Sequence, residues 1–332
     1  MRQSELFTKT RREDPADETA RNAKLLIRAG FIHKEMAGVY SYLPLGFRVL
    51  ENIKKIVREE MNAIDGQEII LTALQDKELW EKTGRWDDEA VDVWFKTKLK
   101  NGSELGLGLT HEEPLVALMR DHIKSYRDLP VAAYQFQTKF RNELRSKSGI
   151  MRGREFLMKD MYSFHTEEAA LDEYYERVEN AYARIFARVG LAETTYKTFA
   201  AGGIFSKWSH EYQTISAAGE DTIYVSREKK IALNEEIYTD SILAELGLAR
   251  GELEQAKAIE VGNIFKIGTR FSAPLGLSYL DDTGKSYPVV MGCYGLGISR
   301  LMGTIVEVLA DDGGLVWPAA VAPFAIHIVS LG

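Results

Sequence analysis

Between Lys139 and Lys159 the chain carries seven Lys/Arg residues against two acids, although the whole 332-residue chain has a formal net charge of −7. Charge at that density stays in water or meets an anion; it does not enter a core unpaired. The flanks show how it is carried. Val131–Phe140 (VAAYQFQTKF) and Glu155–Tyr162 (EFLMKDMY) read as strands, and the polar, glycine-containing stretch Arg145–Gly153 between them reads as a loop. The segment is expected to be an antiparallel hairpin with an arginine at each base, Arg141 and Arg152, and an aromatic ring at Phe156. A guanidinium offers a planar fork to phosphate oxygens and keeps its charge at any working pH. Glu143 beside it can accept from an exocyclic amine, and Phe156 offers a ring face to a base. A hairpin with a merely solvated basic face has the same composition.

Composition narrows the classes. At 45% hydrophobic the chain can bury one large core or two moderate ones. No run approaches the roughly 18 apolar residues of a membrane span, and the N-terminal MRQSELFTKTRRED has no apolar signal region. The single cysteine, Cys293, cannot form an intrachain disulfide and fits a reducing cytosol. The acidic total argues against a general nucleic-acid coat but leaves room for a local basic docking patch.

In chain order, Asp17–Ala29 reads as a helix ending near Gly30, and Phe31–Tyr42 as strand or turn. After Pro44, Val49, Ile53, Val57 and Met61, with Leu50 and Ile56, recur at helical spacing until Gly66, and Gln67–Leu71 reads as a strand. Asp76–Trp94 is rich in Trp and acids and is expected to cap one face. Leu105–Glu113 (LGLGLTHEE) is a strand leading into a helix. There Thr110 can be an N-cap with Glu113 as its capping-box partner, or Glu112 can receive a cationic amine. Glu167–Val189 is an amphipathic helix whose stripe of Leu171, Tyr174, Tyr175, Val178, Tyr182, Ile185 and Phe186 reads as core.

Ser209–Gln213 (SHEYQ) joins His210 to Glu211 with no second His at i+4 and no Cys, which argues against tetrahedral zinc. Magnesium is compatible, because one or two carboxylates suffice when phosphates and water supply the other oxygens. Ser286–Glu307 reads as a strand, a glycine-rich turn (Gly292, Gly295, Gly297) and a helix carrying Arg300. The βαβ context of a dinucleotide fold is missing around that turn. Cys293, as a lone thiol, is most simply a small core residue.

Phe140-Arg141-x-Glu143, a loop, then Arg152-x-x-x-Phe156-x-x-x-Asp160 resembles motif 2 of the class II aminoacyl-tRNA synthetases. The wording TKFRNE…GIMRGREFLMKDMYSFH is similar to the bacterial-type prolyl-tRNA synthetases in particular. The proline-introduced helix and its following strand resemble motif 1, and Gly295-x-Gly297-x-x-Arg300 resembles motif 3. The resemblance implies an α+β class II catalytic domain, a mainly antiparallel sheet flanked by helices, over residues 1–320. A shortened insertion remnant is expected near 221–259, too short for an independent hydrolytic domain. Residues 321–332 are expected to start a truncated C-terminal anticodon-binding domain, with Phe324–Val329 as its first strand.

The activity implied is that of a ligase that joins L-proline to ATP, releases pyrophosphate, and transfers the prolyl group to the 3′ end of tRNA(Pro), with Mg2+ assisting. Arg141 falls on the α-phosphate and the proline carboxylate, Arg300 on the γ-phosphate, and Arg152 on the phosphates beside them. Phe156 stacks on adenine and Glu143 receives its amine. Glu211, Gln213, Gly295 and Gly297 complete the ATP site, with Glu211 as the magnesium ligand. Thr110, Glu112 and Asp160 suit the proline amine, Met158, Tyr162 and Cys293 suit its ring, and His210 is expected near the substrates. The loop Arg145–Gly149 (RSKSG) would meet the acceptor end of tRNA, although it departs from the family's Arg-Pro-Arg wording.

Motif 1 implies a homodimer, and the family implies a cytoplasmic protein with no membrane association. Missing methylenes discriminate by only about 1–3 kcal/mol each, so a chain without an editing insertion is expected to rely on a separate alanyl-tRNA-editing hydrolase. Two rivals fit parts of the pattern. One is a paralogue that loads another acceptor. The other is a non-catalytic subunit, which typically loses the motif arginines; here Arg141, Glu143, Phe156 and Arg300 are all present.

Overall fold

The computed structural model describes residues 2–144, 146, 148–201 and 208–329. Among these residues the chain begins with α1 (Arg21–Arg28), β1 (Ile32–Met36), β2 (Val39–Tyr42), α2 (Pro44–Asn62) and β3 (Gly66–Glu68). It continues through β4 (Leu74–Asp76), α3 (Lys77–Lys82), β5 (Lys96–Lys98), β6 (Glu104–Leu107) and α4 (Glu112–His122). The centre is β7 (Val131–Phe140), β8 (Glu155–His165), α5 (Glu168–Arg188), β9 (Thr195–Ala201) and β10 (Trp208–Ile215). Then come β11 (Asp221–Ser226), β12 (Ile231–Asn234), α6 (Asp240–Glu245) and β13 (Glu254–Gly268). β14 (Ser278–Leu280), β15 (Ser286–Pro288), β16 (Val290–Gly297) and α7 (Ile298–Leu309) complete it.

Nine of the described strands form one sheet in the order β10-β9-β12-β11-β13-β16-β8-β7-β3. Only β3–β7 and β12–β9 are parallel pairs within it. β10 also pairs with β13, so β13, β10, β9, β12 and β11 close a ring of pairings around Tyr196, Ile223, Val225, Ala232 and Ala258. The hairpin β7–β8 lies where the charge pattern places it, with Val131 opposite Phe164 and Phe140 opposite Glu155.

One face of the sheet is sealed by α1, α2, α5 and α7. Pro44 opens α2 at a position whose backbone N–H has no helical partner in any case. α2 ends at Asn62, with Asp65 in the left-handed region (φ 63°) turning the chain into β3. The expected strand therefore starts at Gly66 and stops at Glu68. Val49, Leu50, Ile53, Ile56, Val57 and Met61 of α2 enter the chain's own core, and the whole expected stripe of α5 is buried. On the other face, α4 covers Ala133, Tyr162, Phe164 and Met291.

Residues 221–259 are not a loose connection. β11 and β12 are hydrogen-bonded members of the main sheet, and Leu233, Ile237, Leu243 and Leu248 form a small core beside them. Phe324–Val329, expected as a strand, is irregular. No described strand lies beside it to take its backbone hydrogen bonds, and Ile326 and Ile328 are exposed.

Candidate active site

Strand parity builds the site. Phe156, Met158, Asp160 and Tyr162 lie two apart on β8 and share one face, while Leu157 and Met161 go to the helix-covered core. Pairing with β7 and β16 then sets Asp160 opposite Gln135 and Gly295, Tyr162 opposite Cys293, and Met158 opposite Gly297. Gly292, Gly295 and Gly297 lie within β16 and do not form the expected turn. Their small size serves approach: a Cβ at Gly295 would stand 2.5 Å from Met158 Cε and 2.6 Å from Asn263 Oδ1.

On one side of the site, Thr110 Oγ1 donates to both Glu112 oxygens at 2.8 and 2.7 Å. The Tyr162 hydroxyl sits 3.2 Å from Asp160 Oδ2 and 3.4 Å from Glu112 Oε1, and accepts from the His111 backbone N–H at 3.2 Å. Cys293 Sγ is 3.6 Å from Glu112 Oε1. The capping-box alternative does not hold. His111 occupies the cap position of α4, and Glu113 accepts instead from Thr83 Oγ1 (2.8 Å) and Arg85 Nη1 (3.0 Å).

Residues outside the sequence motifs complete this side. Lys139, fully buried, lies 2.8 Å from Asp160 Oδ1 and 2.6 Å from His111 Nδ1. Gln135 Nε2 donates to Asp160 Oδ2 at 3.0 Å, and Arg85 Nη1 reaches Glu112 Oε2 at 3.2 Å. Burial, and then the Lys139 charge, lower the His111 pKa to about 4. His111 is thus neutral at pH 7, its Nδ1 accepting from Lys139 while Nε2–H donates to the Thr72 carbonyl at 3.0 Å. Burial alone would raise the Asp160 and Glu112 pKa values. Lys139 at Asp160, aided by the Gln135 hydrogen bond, and Arg85 and Thr110 at Glu112, outweigh it and hold both below the usual range.

The other side is a cleft of about 210 Å³ lined by Arg141, Glu143, Arg152, Glu220, Asp221 and Arg300, among others. Arg300 donates from Nε to the Met151 carbonyl (2.8 Å) and from Nη1 to Glu260, at 2.7 Å to its carbonyl and 3.1 Å to Oε2. Arg152 bridges Glu143, at 2.9 Å, and Glu220. Arg141 is different. Its guanidinium lies 5.3 Å from the Phe156 ring centre and has no hydrogen bond or ion pair to any described residue. Burial, then Arg300, push its pKa down, against the opposing charges of Glu260, Glu143 and Glu112.

Glu211, Gln213, Glu260 and Asn263 meet where β10 crosses β13. Gln213 Nε2 donates to Glu211 Oε2 (2.9 Å) and Asp221 Oδ2 (2.7 Å), and Asn263 Nδ2 donates to Glu260 Oε1 (2.9 Å). Burial, then Glu260, raise the Glu211 pKa to about 7. Among the described residues no set of three His, Cys, Asp or Glu side chains is arranged to hold a metal unaided.

His210 does not join the site. Adjacent to Glu211 on a strand, it must point to the opposite face, where its Nδ1 lies 2.7 Å from the Tyr175 hydroxyl of α5. Arg145 and Lys147 of the expected tRNA loop lie outside the described residues.

Residues 95–309 match the family model described as tRNA synthetase class II core domain (G, H, P, S and T). Along its full length the chain is 39% identical to the proline–tRNA ligase of Anaplasma marginale, of which it covers 80%. It is 32% identical to that of Staphylococcus epidermidis, of which it covers 84%. The chain belongs to this family. The Staphylococcus alignment runs over 479 residues against the 332 of this class II core, so 147 positions of that relative have no counterpart here. Among solved structures, Giardia lamblia prolyl-tRNA synthetase in complex with prolyl-adenylate matches 88% of the core with a TM-score of 0.71 at 17% identity. Cryptosporidium parvum prolyl-tRNA synthetase complexed with L-proline and AMP matches 94% with a TM-score of 0.71 at 18% identity. The core spans 53% and 56% of those two chains, and at these identities the likeness is one of fold.

Proposed function

We propose that this chain is the catalytic core of a proline–tRNA ligase, activating L-proline with ATP and passing the prolyl group to tRNA(Pro). The observation that carries the reading is Arg141, a guanidinium without a described partner at the junction of an amine-accepting pocket and a basic cleft. In activation, a carboxylate oxygen of proline attacks the α-phosphorus of ATP, the bond to the bridging oxygen breaks, and pyrophosphate leaves. Arg141 holds the carboxylate and the α-phosphate together as charge moves between them. Arg152 and Arg300 exchange Glu143, Glu220 and Glu260 for the outer phosphates. Phe156 stacks on adenine, with Glu143, once released, accepting from its amine, and Gln213, Gly295 and Gly297 shape the rest of that site. Glu112, Thr110 and Asp160 receive the proline ammonium; Met158, Tyr162 and Cys293 enclose the ring.

In transfer, the terminal 3′-hydroxyl of tRNA attacks the prolyl carbonyl, loses its proton, and AMP leaves. Glu211 and Glu260 suit a magnesium ion: burial, then the Glu260 charge, keep Glu211 partly protonated, and Glu260 is freed when Arg300 turns to the phosphates. When bound, that ion neutralises the outer phosphates.

Homodimerisation through the α2–β3 region is part of the proposal. It is supported by Phe47 and Ile70, large apolar side chains 54% and 79% exposed around α2 and β3. So are a cytoplasmic location and reliance on a separate hydrolase for alanyl-tRNA. The test is ATP–pyrophosphate exchange across amino acids, followed by charging of tRNA(Pro). Exchange driven by proline, with charging, is expected; no exchange with any amino acid from folded protein would overturn the reading.

A further inference from the structure

Arg85 comes from the turn after α3, in a Trp-rich stretch with no chemical motif. Its Nη1 alone reaches three carboxylate oxygens: Glu112 Oε2 at 3.2 Å and Glu113 Oε1 and Oε2 at 3.0 and 3.2 Å. Trp80 and Phe271 flank the guanidinium at 4.7 and 5.2 Å, so aromatic walls set its position. Three buried carboxylates, Glu112, Glu113 and Asp160, surround the amino-acid pocket, and Arg85 and Lys139 are the cations in contact with them. His111, the remaining titratable neighbour of Asp160, is neutral. One nitrogen of Arg85 is divided between two glutamates, so Arg85 serves neither of them fully.

We infer that Arg85 is a positioning residue for the amino-acid amine: the incoming ammonium displaces it from Glu112, and Arg85 then pairs fully with Glu113. This rests on the functional reading above. Before substrate arrives, Arg85 and Thr110 keep Glu112 ionised and aimed. Glu113 is left with half a partner; burial, offset in part by Arg85 and reinforced by the Glu112 charge, sets its pKa at about 7. Around Glu113 stand Arg85 and Thr83 from the α3 turn, Glu112 on its own helix, and Arg270, whose charge reaches it from the turn after β13. Glu112 faces in addition Tyr162 and Cys293, whose hydroxyl and thiol burial pushes well up. When Arg85 moves wholly to Glu113, that carboxyl gives up its proton. Substrate binding therefore releases a proton, and the KM for proline falls as pH rises towards and through about 7.

The experiment is ATP–pyrophosphate exchange by the full chain, with the KM for proline and for ATP measured from about pH 6 to about pH 8. For the unmodified chain, the proline KM is expected to fall by up to about tenfold over that range while the ATP KM stays level. Glu113→Gln, nearly isosteric, should flatten the proline profile and raise the proline KM roughly tenfold at the upper end, because Arg85 stays on Glu112. Arg85→Gln should raise the proline KM by about 10–100-fold, and Arg85→Lys should recover part of the loss. An unchanged slope in Glu113→Gln, or variants that move both KM values together, would overturn the inference. An unmodified chain with exchange but a flat proline profile overturns the inference alone; one without proline-driven exchange overturns the functional reading and the inference with it.

Discussion

On the amino-acid side of Arg141 the polar groups are already committed to one another, with Lys139 holding Asp160, His111 holding Lys139, and Thr110 and Arg85 holding Glu112. On the nucleotide side, Arg152 and Arg300 rest on Glu143, Glu220 and Glu260 in a cleft open to water, and Arg141 rests on nothing polar that the structure describes. The first side is a buried mould whose members cannot leave without stranding a charge, unless another cation takes their place as inferred for Arg85 at Glu112. The second is a set of ion pairs that a polyanion can exchange at small loss, because solvent-screened pairs are worth little. Stability and activity should therefore separate across Arg141.

The widest separation is expected at Arg141 itself. Arg141→Gln removes no described resident hydrogen bond or ion pair, so the unfolding free energy from urea denaturation should change by less than about 0.5 kcal/mol, while exchange falls by roughly 10³-fold. A fall in stability matching the fall in activity would break the contrast. Lys139→Met should do the reverse and cost about 3–5 kcal/mol in urea denaturation, because Asp160 is left buried without its cation. Gly295→Ala presses a methyl on Met158 and Asn263 at the boundary of the two halves. The Met158 tip can turn aside, but the Asn263 amide is bonded to Glu260, so steady-state kcat/KM should drop by about 10–100-fold for both substrates.

Glu211→Gln sharpens the comparison through pH. The folded-state pKa of Glu211 is raised from 4.5 to about 7, so its ionised form opposes folding above that range. The amide should stabilise the protein by on the order of 2 kcal/mol above pH 7, a gain that disappears by about pH 4.5, and should weaken ATP use. Thermal melts across pH read the first effect and the ATP KM the second. His210→Phe should leave the proline KM within about twofold, since His210 faces α5.

Local periodicity made much of this legible. Alternation along β8 puts Phe156, Met158, Asp160 and Tyr162 on one face, and the α5 stripe is buried as its spacing predicts. The same parity forbids His210 and Glu211 from facing one ligand together, and it aligns Gln135 and Lys139 on β7, the strand that ends just before Arg141. The contribution of Arg85 was not legible. It meets Glu112 and Glu113 across 27 and 28 residues of chain with no motif of its own, a relation only the tertiary fold creates. The strands β11 and β12 were missed for a similar reason, since their partners β9 and β13 are set by ring closure and not by local pattern.

That ring has a consequence for how such a chain can change length over time. β12 and β13 lie on either side of β11, with Asn234 opposite Ile223 and Glu254 opposite Val225. The chain thus leaves and re-enters the sheet at two points on the order of 10 Å apart, both paired into the sheet, while Ile237, Leu243 and Leu248 between them pack on Leu233 of β12. Lengthening the excursion adds only a loop-closure term that grows with the logarithm of its length. A folded unit can be inserted within Glu235–Leu253 while the strands that carry Glu211 and Glu260 keep their register, provided that Leu233 keeps its cover, which makes this junction a port for modular exchange.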